Sequence, residues 1–96
     1  MKILAIEREL PGATAEQFRV HLRDEAMEAW RLYQAGVIRE LYFRADENTA
    51  VLFLECEDVA EARAILAALP LVKVGLIEFD VIPLMPYPGF SRLFSV

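Results

Sequence analysis

Pro70 sets the strongest constraint on how this chain folds. It follows Ala62-Arg63-Ala64-Ile65-Leu66-Ala67-Ala68-Leu69, a run dominated by good helix formers. A proline ring removes a helical hydrogen bond and clashes with the preceding turn, so the helix has to stop at Leu69-Pro70-Leu71. Residues 73–83 then read as a final strand, with Ile77, Phe79 and Val81 on one face and Leu76 and Ile82 on the other. A strand that is apolar at both parities needs cover on both sides.

The rest of the chain supplies partners for that strand. Residues 2–8 read as a short strand closed by Leu10-Pro11-Gly12, a turn signal. Thr14-Ala15-Glu16-Gln17 fits a capping box and opens a first helix expected to reach Ala35, with Gly36 in the left-handed position after it. At about 100° per residue, Phe18, Leu22, Ala26, Ala29 and Tyr33 share one narrow arc, the expected core stripe. Residues 37–44 and 49–56 form a hairpin across the polar turn Ala45-Asp46-Glu47-Asn48, and Asp58-Val59-Ala60-Glu61 opens the second helix.

The order is βαββαβ, the α+β ferredoxin-like arrangement, with both helices on one face of a four-stranded antiparallel sheet. Ile3 with Leu4 and Leu52 with Phe53 are again apolar at both parities, so the helix-free face is apolar as well. The chain has 96 residues, of which 56% are apolar, and its mean hydropathy is +0.32. One small domain cannot hide that much apolar surface alone, and a second copy packed face to face would close a dimeric α+β barrel. Residues 1–83 are the expected domain. Residues 84–96, starting Leu84-Met85-Pro86-Tyr87-Pro88-Gly89-Phe90, are too apolar for a disordered tail and read as an arm on a neighbouring subunit or over a pocket mouth, the alternative being an arm on its own subunit.

A net charge of -5 and scattered basic residues exclude nucleic acid as a partner. No apolar run approaches the roughly 18 to 20 residues that span a membrane, and Met1-Lys2-Ile3-Leu4 does not read as a signal peptide. Cys56 is the only cysteine, which leaves no intrachain disulfide, argues against a metal site and fits a reducing cytoplasm.

Asp24-Glu25, Ala29, Arg31-Leu32 and Gly36 in the first helix, Arg39 and Leu41 in the second strand, Leu69-Pro70-Leu71, and Ile77-Glu78 with Asp80 stand at a joint spacing that resembles the muconolactone isomerase-like family. The resemblance implies dimeric barrels assembled into larger rings, and an isomerisation of a small unsaturated lactone acid without a cofactor. Asn48 stands where the characterised isomerases have a histidine, and the apolar end from Leu84 differs from their polar ends.

Such a reaction needs a base that returns its proton and a cation for the substrate carboxylate. Glu25 lies about 50° from the centre of the core stripe, which makes it the candidate base; the bland alternative is an edge carboxylate with a solvated head. His21, one turn earlier, is the candidate assistant or a residue of a solvated flank. Arg39 either anchors a ligand carboxylate or pairs with Glu78 or Asp80. Tyr42, Trp30 and Tyr33 are candidate pocket walls, with core packing the stronger reading for Tyr33. Glu78 and Asp80 are expected to meet Arg39, Arg44 or Lys2. Three functions fit: an isomerase on small organic acids, a non-catalytic ligand-binding or structural oligomer, and a cofactor-free monooxygenase of the related barrel type.

Overall fold

The computed structural model describes residues 1–94, so residues 95 and 96 of the expected arm lie outside the described residues. The elements run β1 (Lys2–Glu9), α1 (Ala15–Arg19), α2 (Leu22–Gln34), β2 (Ile38–Phe43), β3 (Ala50–Glu55), α3 (Val59–Ala67), α4 (Pro70–Lys73) and β4 (Ile77–Leu84), with a 3-10 turn over Gly89–Leu93. The four strands form one antiparallel sheet in the order β2-β3-β1-β4, the ferredoxin-like arrangement expected.

Register decides what each face carries. Ile3 lies between Leu54 and Pro83, and Ala5 between Leu52 and Val81. Ile3, Ala5, Leu52 and Leu54 are buried beneath the helices with Ile38, Ala50, Ala62, Leu66 and Leu69. Leu4, Ile6, Val51, Phe53 and Ile82 occupy the alternate parity and stay partly or largely open to solvent. A second, smaller core of Leu71, Leu76 and Ile77 takes in Phe18 and Ala13.

Those two cores correct the expected single first helix. Thr14 caps α1 with the full box: the Gln17 N–H donates to Thr14 Oγ1 at 3.3 Å and the Thr14 N–H to Gln17 Oε1 at 2.9 Å. Phe18 is drawn to the small core while Ala29 and Leu32 pack on the large one. The ladder tightens between them, where the His21 N–H donates to the Phe18 carbonyl at 2.9 Å, and His21 stands at the N-cap of α2. The expected stripe is also only partly covered: α2 has no buried residue, and Tyr33 is 52% exposed rather than packed in the core.

Pro70 ends α3 but does not lead straight into a strand. Its fixed φ suits the first position of a helix, so the chain makes one further turn, α4. Gly75, at φ +78, closes that turn: its N–H reaches the Val72 carbonyl and the Leu76 N–H reaches that of Leu71, both at 3.0 Å. The final strand therefore begins at Ile77 instead of Lys73.

The tail leaves the body. Met85, Tyr87, Phe90, Leu93 and Phe94 are all exposed, Phe94 by 82%, while Tyr87 and Phe90 meet edge to face at 5.1 Å. The radius of gyration is 15.8 Å, against about 12 to 13 Å for a compact chain of this length.

Candidate active site

Between α2 and the sheet lies a cavity of about 240 Å³. Its walls are apolar: Leu22, Ala26 and Ala29 from α2, Leu41, Phe43 and Leu52 from the hairpin, and Leu69, Leu71 and Phe79 from the second half of the chain. Small residues at 26 and 29 keep the helix from filling the space beneath it. Among the described residues, the only polar side chains in this lining are two carboxylates, Glu25 and Glu7.

Glu25 enters from α2. Its Oε1 accepts the Leu71 N–H at 2.9 Å, one of the first-turn donors of α4 that has no partner within its own helix. That contact fixes the direction of the carboxylate and leaves Oε2 without a hydrogen-bond partner among the described residues. Burial pushes the Glu25 carboxyl up from its ordinary value, the Leu71 N–H draws it partly back, and the Glu28 charge adds to the rise.

Glu7 enters from β1, at the parity of Ile3 and Ala5 and opposite Phe79. Its Oε1 accepts the Ala50 N–H at a long 3.4 Å. Burial raises its pKa, the Ala50 N–H opposes that, and the charges of Glu25 and Glu9 raise it further. Two half-buried carboxyls in one apolar space disfavour double ionisation.

An open groove adjoins the cavity across Ala26, Ala29 and Leu41, and Trp30, Tyr33, Arg39, Glu40 and Tyr42 line it. Trp30 stacks on Tyr33 with ring centres 5.9 Å apart, and the Tyr42 hydroxyl donates to Glu40 at 2.8 Å. Arg39 Nε donates to the Gly36 carbonyl at 2.6 Å. Among the described residues no carboxylate comes within ion-pair distance of Arg39. Glu78 and Asp80 pair with Arg8 instead, Asp80 at 3.0 Å from Nε, because Arg8 stands opposite Glu78 in the β1–β4 register; Arg44 is held by Asp46 and Glu47.

Of the candidates read from sequence, the structure brings Arg39, Tyr42, Trp30 and Tyr33 together in the groove and sets Glu25 in the cavity behind it. His21 lines neither space. It sits at the start of α2, its carbonyl accepting the Glu25 N–H at 2.9 Å. Among the described residues no group of three or more histidine, cysteine, aspartate or glutamate side chains could hold a metal ion, and no helix is long and apolar enough to cross a membrane.

The family model for muconolactone delta-isomerase matches residues 4–89. The chain belongs to that family. Among solved structures, the crystal structure of muconolactone isomerase matches with a TM-score of 0.75 at 22% identity, covering 93% of each chain. The 5-chloro-2-hydroxyhydroquinone dehydrochlorinase of Burkholderia phenoliruptrix AC1100, solved in complex with 2,5-dihydroxybenzoquinone, matches with a TM-score of 0.62 at 18% identity, covering 91% of this chain and 96% of that one. These likenesses establish a shared fold. A search of curated protein sequences gives no match.

Within this family fold, Glu7 is the site residue least visible from its own stretch of sequence. It looks like the polar end of a short strand. Parity was the available signal, since positions 3, 5 and 7 share a face and the first two are core residues.

Proposed function

We propose that the chain catalyses a cofactor-independent proton-transfer isomerisation of a small unsaturated lactone or organic acid, with Glu25 as the base. One observation carries this reading: a single oxygen of Glu25 is anchored at Leu71 while the carboxyl, its pKa raised by burial, faces an apolar cavity. A raised pKa suits a base that must return the proton it takes. At about 240 Å³ the space falls below the range typical of drug-sized ligands, as a small ring requires. Arg39, free of any ion pair among the described residues, holds the substrate carboxylate at the groove, with Tyr42, Trp30 and Tyr33 as its walls. His21, one turn before Glu25, lines neither space and takes no direct part in this reaction.

Glu25→Gln keeps an acceptor for the Leu71 N–H but removes the base. Turnover of muconolactone should fall about 100-fold or more with the fold intact, the usual scale for a lost general base. An unchanged rate would remove Glu25 from the reaction.

We further propose that the protein self-associates, a homodimer closing over the helix-free face with the arm that begins at Leu84 lying on a neighbour. Partly open Leu4, Val51 and Phe53 and the exposed apolar side chains of the arm support it. Light scattering at micromolar concentration should give at least twice the monomer mass; a stable monomer refutes it.

A further inference from the structure

We infer that Glu7 is a second catalytic residue, whose protonated carboxyl donates a hydrogen bond to the carbonyl oxygen of a substrate that is uncharged at its reacting end. The inference rests on Glu25 being the base. Moving a double bond next to a carbonyl draws a proton from carbon and puts negative charge on the carbonyl oxygen, and that charge needs a donor. The cavity offers few. Among the described residues its lining has no lysine, arginine, histidine, hydroxyl or amide side chain, and the N–H groups of Leu71 and Ala50 are taken by Glu25 and Glu7 themselves. Glu7 is the one remaining side chain able to donate, and only in its protonated form.

The proton count is simple. Ionised Glu25 takes the proton from the donor carbon and becomes neutral, while the electron pair moves through the double bond to the carbonyl oxygen, which accepts the Glu7 hydrogen bond. Glu25 then delivers the same proton to the other carbon and is again ionised. Glu7 keeps its proton throughout. The active enzyme therefore holds one proton on two carboxyls, a state favoured when like charges share an apolar space.

The surroundings reinforce this. Glu9 on the same strand and Glu47 at the β2–β3 turn line clefts with Glu7, as do Arg8, Arg44 and Asp80; on α2, Glu28 raises Glu25, and His21 precedes it by a turn. Both arginines are already committed, Arg8 to Glu78 and Asp80 and Arg44 to Asp46 and Glu47. The space thus repels an anion and admits a neutral ring, so a substrate carboxylate stays outside, in the groove with Arg39.

The experiment compares wild type, Glu7→Leu, Glu7→Gln and Glu25→Gln on muconolactone and on β-angelica lactone, a neutral analogue that lacks the carboxymethyl group. Glu7→Leu should lower kcat about 100-fold on both, the scale of losing one oxyanion donor. Glu7→Gln is always neutral and keeps an N–H donor, so it should retain most of the rate and lose the alkaline limb of a bell-shaped kcat profile. Full activity in Glu7→Leu, or an alkaline limb surviving in Glu7→Gln, overturns the role of Glu7; if Glu25→Gln is dead in the same assays, the isomerase reading stands. If wild type turns over neither lactone, the isomerase reading fails and the catalytic role of Glu7 falls with it. Should Glu7→Leu not fold, the Glu7→Gln profile and carboxyl NMR carry the test: in wild type the Glu7 carboxyl should lose its proton at higher pH than that of Glu25, and the reverse order overturns it.

Discussion

The two ends of the sheet's helix-covered face are built from the same strands and differ in what stands over them. At one end Ile3, Ala5 and Leu54 meet α3 through the buried Ala62 and Leu66 in a packed core. Two residues further along β1 the same face carries Glu7, and α2 stands off the sheet on Ala26 and Ala29. Burial closes a packed core at one end and leaves a cavity with two carboxyls at the other. The packed end anchors β1 and β3, and so fixes where Glu7 and Ala50 lie.

Breaking the packed end should have the largest effect. Leu54 is 1% exposed, so Leu54→Ala should cost about 2 to 5 kcal/mol in urea unfolding. At the cavity end, Ala26→Leu should leave stability within about 1 kcal/mol, because the added methyl groups enter open space, and should abolish the thermal shift with β-angelica lactone.

A subtler contrast lies in pH. Glu7 and Glu25 hold their protons more tightly folded than unfolded. The stability this contributes is full below the ordinary carboxylate range and is lost as pH rises through their raised values. Over that interval the wild-type Tm should fall more than that of Glu7→Gln/Glu25→Gln, in which neither group titrates. The smallest effect belongs to Leu22→Ala: Leu22 is 52% exposed above the cavity, and chemical denaturation should register under about 1 kcal/mol.

The fold was legible because its punctuation is local. Proline, glycine and capping residues close each element where the strand and helix periods change, and Gly36 at φ +79 takes the left-handed position assigned to it. Less legible were features that depend on two distant segments. Phe18 and Ala29 serve different cores, which divides the first helix, and Pro70 both ends α3 and starts α4. Glu25 could be placed near the core by its helical angle, whereas its partner could not, since Leu71 is 46 residues away. The pairing of Arg8 with Glu78 is hidden for the same reason: cross-strand register is not written in either strand alone.

The bond from the Leu71 amide to Glu25 joins the first half of the chain to the second. A fluctuation that lifts α4 away would leave α2 intact and its carboxylate without a fixed bearing, so the aim of Glu25, and with it the proposed role as base, is tied to the docking of two segments and not to the folding of either. Hydrogen exchange at the Leu71 amide therefore offers a gauge of the site: its protection measures how much of the time the carboxylate is aimed, in the absence of any substrate.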